Sequence, residues 1–157
     1  MSLQQPYVRG MYFEEFQVGQ QIVSPGRTVT EGDVMTFAGL SGDYNQIHTD
    51  VEFSKSTPYG QRIAHGILGL SIASGLAMRT GMLEGTVLAF REIAEWKFIK
   101  PVFIGDTVYV EMEVKETKGM PRVGGGLITI AVELKNQRDE TTMKGLWIAL
   151  VASRPKE

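Results

Sequence analysis

The stretch SGDYNQIHTD, residues 41–50, sets Asp43, Asn45 and His48 within six positions. The chain holds two histidines, and the other, His65, opens HGILGLSIASG, its most apolar run. A carboxylate and an imidazole flanking one small space suit the handling of water. The carboxylate accepts a proton, and the imidazole accepts or donates another near neutral pH. On a continuous helix, side chains five positions apart point about 140° away from each other. Asp43 and His48 therefore share a pocket only if the chain turns between them. Asp43 and Asn45 are equally good turn formers, and a histidine can simply be a satisfied structural group. The residue types alone leave both readings open.

His65-Gly66 stands at a predicted helix start. Free N–H groups there carry partial positive charge, and glycine lets another atom come close to the backbone. A carbonyl oxygen gaining negative charge fits such a place, as in an oxyanion hole. Equally, Gly66 can serve close helix–sheet packing while His65 caps the helix. Ser71 and Ser74 fall on the same helix, which reads as buried. Each hydroxyl can bond the carbonyl four residues back or orient a catalytic carboxylate.

Other chemistries find less support. Without cysteine there is no disulfide, thiolate–zinc site or cysteine nucleophile. No G-x-S-x-G elbow occurs. His48 and His65 lie far apart in sequence with no H-x-x-x-H, so no metal is expected. GGG at 124–126 lacks the strand–GxxxxGK–helix setting of a phosphate loop. A net charge of −2 with both signs interspersed gives no footprint for nucleic acid. MSLQQPYVRGMYF has no leader signal, and Gly66 to Met78 is too short to span a bilayer. A cytoplasmic protein that engages neither nucleic acid nor membrane is expected.

The elements that must position these groups can be read locally. The 157 residues suit a single domain over 1–157, with its core at about 13–151. QIVSPGRTVT, residues 20–29, reads as a short strand broken at Pro25-Gly26. TEGD at 30–33 resembles a capping box, with Asp33 standing in for glutamate. Val34, Phe37 and Ala38 continue a helix that Gly42 stops in left-handed geometry, leaving Asp43 on a rigid turn. Asp50 can cap a short helix, VEFSKS, and 56–63 reads as a loop. The helix from His65-Gly66 runs to about Thr80, with Gly81 as its stop. It is apolar nearly all round, so protein should surround it, and its glycines, alanines and serines allow close backbone approach. Strands follow. TVYVEMEVKE and LITIAVELK alternate, with Val108, Val110, Met112, Val114 and then Ile128, Ile130, Val132, Leu134 on one face. MKGLWIALVA is apolar on both faces, as a central or interface strand would be. LAFREIAEWKFIKP is a fourth strand, and KGMPRVGGG is a flexible hairpin end. One long helix packed into long antiparallel strands makes the class α+β.

Taken together, FEEFQVGQ, FAGLSGDYNQIHTDVEFSKS, YGQRIAHGILGLSIASGL and WKFIKPVFIGDTVYVEMEV resemble the MaoC-like dehydratase family, which includes the (R)-specific enoyl-CoA hydratases. The resemblance runs from about Phe13 to Val151. It implies a hot-dog fold, a long central helix wrapped by a curved antiparallel sheet. It also implies a homodimer or a dimer-based higher oligomer, with acyl-CoA along the subunit interface. The implied reaction is reversible addition of water to a trans-2-enoyl thioester, needing no metal or redox cofactor. Carried over, Asp43 and His48 activate water and shuttle protons, and the Gly66 amide polarises the thioester carbonyl. Ser74 helps to orient Asp43, and Asn45 supports the loop or the water. His65 leads the chain into the helix start. Phe53, Leu70 and Leu76 are candidates for the acyl pocket. Gln46 departs from the family's usual proline. Two other roles on the same fold stay open, an acyl-CoA thioesterase and a non-catalytic acyl-CoA-binding module. The D-x-N-x-x-H loop favours the lyase.

Overall fold

The structure, a computed structural model, describes residues 10–155. Residues 1–9, which enter the leader-signal reading, lie outside the described part. Thr30 accepts the Asp33 N–H at 3.2 Å, and Asp33 accepts the Thr30 N–H at 2.8 Å. This reciprocal box starts α1, Glu31–Ser41, and satisfies two amides that would otherwise lack partners. Gly42, at φ 77°, ends it and donates to the Ala38 carbonyl at 2.9 Å. Only a residue without a Cβ takes that conformation cheaply.

After Gly42 the chain does not run on as a simple turn. It forms α2, Gln46–Thr49, a single helical turn capped by Asn45. Gln46 is its first residue, where proline is also at home because the N–H there needs no intrahelical partner. α3, Val51–Lys55, follows, capped by Asp50 through the Phe53 N–H. The long helix α4 spans Gly66–Arg79, and Gly81 follows in left-handed geometry at φ 79°.

The sheet is antiparallel throughout. Its strands are β1 (Gln21–Val23), β2 (Arg27–Thr28), β3 (Val87–Phe98), β4 (Thr107–Met120), β5 (Gly125–Lys135) and β6 (Thr141–Ala152). The order is β1-β4-β5-β6-β3, with β2 also on β4. Register shifts interrupt β3 at three places and β4 between Val114 and Glu116. Such bulges bend strands and strengthen their twist. The 118–126 segment is less loose than its composition predicts. The β4–β5 ladder continues to Met120 opposite Gly125, and only 121–124 connect the strands.

The alternating residues point inward as expected. Val108, Val110, Met112 and Val114 meet Ile128, Ile130, Val132 and Leu134 in one buried cluster. Leu68, Ile72, Ala73, Leu76 and Ala77 of α4 join it. Each large side chain so buried contributes about 1.5–3 kcal/mol. A Cβ on Gly69 would fall 2.2 Å from the Met143 terminal methyl, so β6 approaches the helix backbone closely, as the small-residue pattern predicts.

One expectation fails. α4 is not enclosed on every side: Ile67, Ser71, Ser74, Gly75 and Met78 form an exposed stripe. Beside it, β3 pairs only with β6 among the described residues and exposes Leu88, Phe90 and Ile93. No helix among the described residues is long and apolar enough to cross a membrane.

Thr30→Ala removes one arm of the capping box that delivers Asp43. It is expected to lower unfolding free energy by about 1 kcal/mol in urea titration. An unchanged midpoint would show the box to be dispensable.

Candidate active site

Asp43 leaves α1 on the loop after Gly42. Its N–H donates to Ser41 Oγ at 3.2 Å, and its own Oδ1 accepts the Asn45 N–H at 3.1 Å. Asn45 Oδ1 in turn accepts the Ile47 N–H at 3.2 Å. Two successive side-chain turns thus carry the chain from Asp43 into α2, which presents His48. The fully buried Ser54 braces α2 from below, its hydroxyl 3.3 Å from the carbonyls of Gln46 and Ile47.

A second segment meets this loop. Ala64 N–H donates to the Val102 carbonyl at 2.8 Å, and Ile63 N–H donates to Ile47 at 3.1 Å. Ile63 also forms an isolated bridge with Phe103. The chain is therefore extended and fixed just before α4. His48 Nδ1 lies 2.8 Å from the Ile63 carbonyl. A carbonyl only accepts, so Nδ1 carries the proton and Nε2 of neutral His48 keeps its lone pair. His65 Nε2 lies 2.9 Å from the main-chain carbonyl of Asp43, which places that ring's proton on Nε2. The two imidazoles stack with centroids 3.8 Å apart and planes 30° apart. Phe37 packs on His65 at 4.9 Å.

Asp43, His48 and His65 each place one side-chain oxygen or nitrogen within 4.8 Å of the others. His48 and His65 are buried, at 7% and 1% exposure, whereas Asp43 is open to solvent. Burial holds the His48 imidazolium below its usual range. The neighbouring His65 ring pushes it the same way, while the Ile63 carbonyl and the Asp43 carboxylate oppose without prevailing. His48 is thus a neutral base at pH 7.

Distance in sequence, the reason metal ligation looked poor, is no argument once the fold stacks the two histidines. His48 Nδ1 and His65 Nε2 are both engaged by carbonyls, which leaves the other nitrogen of each ring unprotonated.

Gly66 is the first residue of α4, whose first intrahelical bond runs from the Gly69 N–H to His65 O at 3.0 Å. The Gly66 amide therefore lies ahead of the ladder, at the positive end of the helix. His48 and Gly66 line one cleft of about 410 Å³, walled by Ile47, Tyr59, Phe98 and Met143. A Cβ on Gly66 would meet the Phe98 ring at 2.8 Å. What glycine admits here is that ring, while the amide beside it stays available.

The other predicted groups fall out differently. Asn45 builds the loop. His65 makes no side-chain cap to α4; its ring turns back to the Asp43 carbonyl. Ser71 bonds the Ile67 carbonyl at 2.9 Å. Ser71 and Ser74 are exposed, not buried, and no hydrogen bond joins Ser74 to Asp43. Ser74 instead lines a separate apolar cavity of about 390 Å³ with Met78, Leu88 and Phe90. Phe53, Leu70 and Leu76 do not line the His48 cleft, and Leu76 is sealed in the core. Sequence reasoning missed the Ile63 carbonyl and Phe98. A backbone carbonyl leaves no mark on residue identity, and Phe98 reads only as one more strand residue.

A long helix against an open antiparallel sheet is the arrangement of a hot-dog protein. A Mycobacterium tuberculosis protein described as a double hotdogfold superposes with TM-score 0.83 at 21% identity, over 96% of this chain and 47% of that one. Residues 15–143 match the MaoC like domain, and the chain belongs to that family. It is 35% identical over 111 residues to 3-hydroxybutyryl-CoA dehydratase of Methylorubrum extorquens, covering 71% of this chain and 68% of that protein. Against protein MaoC of Klebsiella aerogenes, identity is 38% over 104 residues, 66% of this chain. The match spans only 30% of that longer protein. A solved Archaeoglobus structure, described as a monoamine oxidase regulatory protein, is 42% identical with TM-score 0.84, covering 93% of this chain and 97% of that one.

The lowered His48 fixes a sign. The unfolded chain binds the proton more readily, so stability is whole above the ordinary value of 6.5. It falls as pH drops below that value, and the loss is complete below the folded value. Urea midpoints at pH 7.5 and 5.5 are expected to differ more in the native chain than in His48→Gln. Equal differences would show that His48 titrates normally.

Proposed function

We propose that the protein is a hydro-lyase, an (R)-specific enoyl-CoA hydratase or 3-hydroxyacyl-CoA dehydratase. One observation carries this reading. A neutral imidazole with Nε2 unprotonated shares one cleft with a helix-start amide, and a carboxylate oxygen lies within 4.8 Å of one of that imidazole's nitrogens. Relatives named 3-hydroxybutyryl-CoA dehydratase and (R)-specific enoyl-CoA hydratase, each 35% identical, support it.

In this reading the thioester carbonyl of a trans-2-enoyl substrate accepts a hydrogen bond from the Gly66 N–H. Polarisation makes C3 electrophilic. Water held between Asp43 and His48 gives a proton to the pair as its oxygen bonds to C3. The enolate charge gathers on the carbonyl oxygen, where the helix dipole and amide stabilise it. The pair then returns a proton to C2, so the elements of one water are added and the groups are reset. Dehydration is the reverse. CoA belongs to the substrate, and the steps call on no metal or redox cofactor. Asn45 supports through the loop. Ser74 has no part within one chain.

We further infer a homodimer or dimer-based oligomer, acting in the cytoplasm. β3 leaves a twelve-residue edge unpaired among the described residues, with Leu88, Phe90 and Ile93 exposed along it and Ile67 and Met78 exposed on α4. A long apolar edge is an association site unless covered. A second copy of the chain fits it by symmetry. Light scattering is expected to give twice 17.4 kDa or a multiple of that. A monomer at micromolar concentration would refute it.

Crotonyl-CoA is expected to lose its enoyl-thioester absorbance with the purified protein. Asp43→Asn and His48→Gln should each lower kcat by roughly 10²–10⁴ with the fold retained by circular dichroism. Release of free thiol without loss of the alkene would instead identify a thioesterase. Binding without either change would identify a carrier module.

A further inference from the structure

The reading above leaves His65 without a step, yet it is the most deeply buried titratable side chain near the site, at 1% exposure. Its Nε2 donates to the Asp43 main-chain carbonyl at 2.9 Å, and its face covers the His48 ring at 3.8 Å. Its Nδ1 is buried with no hydrogen-bond partner. A bare nitrogen suits only the tautomer whose proton sits on Nε2, since a proton on Nδ1 would be left without an acceptor. His48 is held the other way, with Nδ1 protonated against Ile63.

We propose that His65 is a tautomer-locked positioning residue, which fixes Asp43 through its backbone carbonyl and the plane of His48 through ring stacking. It touches neither water nor acyl group. Without the Nε2 donor, the Asp43 carbonyl is untied from the helix start and the carboxylate drifts. Without the ring, His48 loses the surface that holds its plane. Small misplacements of this kind at a reacting pair cost rate far more than binding.

The activity part rests on the lyase reading, so the first test avoids activity. The chain has two histidines, and long-range ¹H–¹⁵N correlation on untagged, ligand-free protein near pH 7.5 resolves both imidazoles. His48→Gln and His65→Gln assign them. Opposite tautomers are expected, Nδ1–H for His48 and Nε2–H for His65. An Nδ1–H form of His65, or rapid exchange between its tautomers, overturns the proposal. The second test is kinetic. His65→Leu should lower crotonyl-CoA kcat roughly tenfold or more, with KM changed much less. His65→Gln keeps an N–H donor but no ring, and should recover part of the rate. A fully active His65→Leu overturns the proposal, as does a Gln variant no better than Leu. If the native protein hydrates no enoyl-CoA, the lyase reading fails, while the tautomers still decide the fate of the lock.

Discussion

Two crossed hydrogen bonds hold this site together. His48, on the loop after α1, donates to Ile63 ahead of α4. His65, at the start of α4, donates back to Asp43 on that loop. Each segment supplies one imidazole donor and one carbonyl acceptor, and the rings close face to face between them. In a site this buried, either bond lost leaves a polar group without a partner, which costs about 1–3 kcal/mol. The arrangement therefore fixes tautomers as well as positions. It leaves His48 Nε2 with its lone pair and brings the imidazole within 4.8 Å of the Asp43 carboxylate, and the chemistry proposed for the cleft follows from that.

The rest of the fold makes the crossing possible. The capping box and Gly42 set where α1 stops, and hence where Asp43 begins its turn. The bridge between Ile63 and Phe103, with the bond from Ala64 to Val102, anchors the approach to α4 on the chain that leads into β4. The helix itself is held against β6 closely enough that Gly69 meets Met143. A bulkier, more polar helix would stand farther from the sheet and would carry the Gly66 amide away from the cleft with it.

The exposed stripe of α4 and the open edge of β3 belong to the same design. A helix apolar on every side reads as enclosed, and within one chain it is not. The sheet covers the face bearing Leu68, Ile72 and Leu76. It leaves Ile67, Ser74 and Met78 next to an edge strand that carries Leu88 and Phe90. The cavity lined by Ser74 opens on this surface, apart from the His48 cleft.

Much of this was written locally in the chain. Thr30 and Asp33, Gly42, Asn45 and Asp50 act within four residues of themselves, so caps and turns could be read from identity and spacing. Alternation along β4 and β5 named the core residues because period-two geometry leaves each side chain one of two faces. The D-x-N-x-x-H loop and the A-H-G helix start could each be recognised as candidates. Only the tertiary structure decided that His48 and His65 stack, that Ile63 sets a tautomer and that Phe98 covers Gly66. It also decided that Ser74 faces outward. These depend on where separate segments meet, and a helix apolar all round carries no mark of which side a sheet will cover. Local rules fix how a segment bends; burial and long-range hydrogen bonding fix which segments touch, and the chemistry lies at the contact.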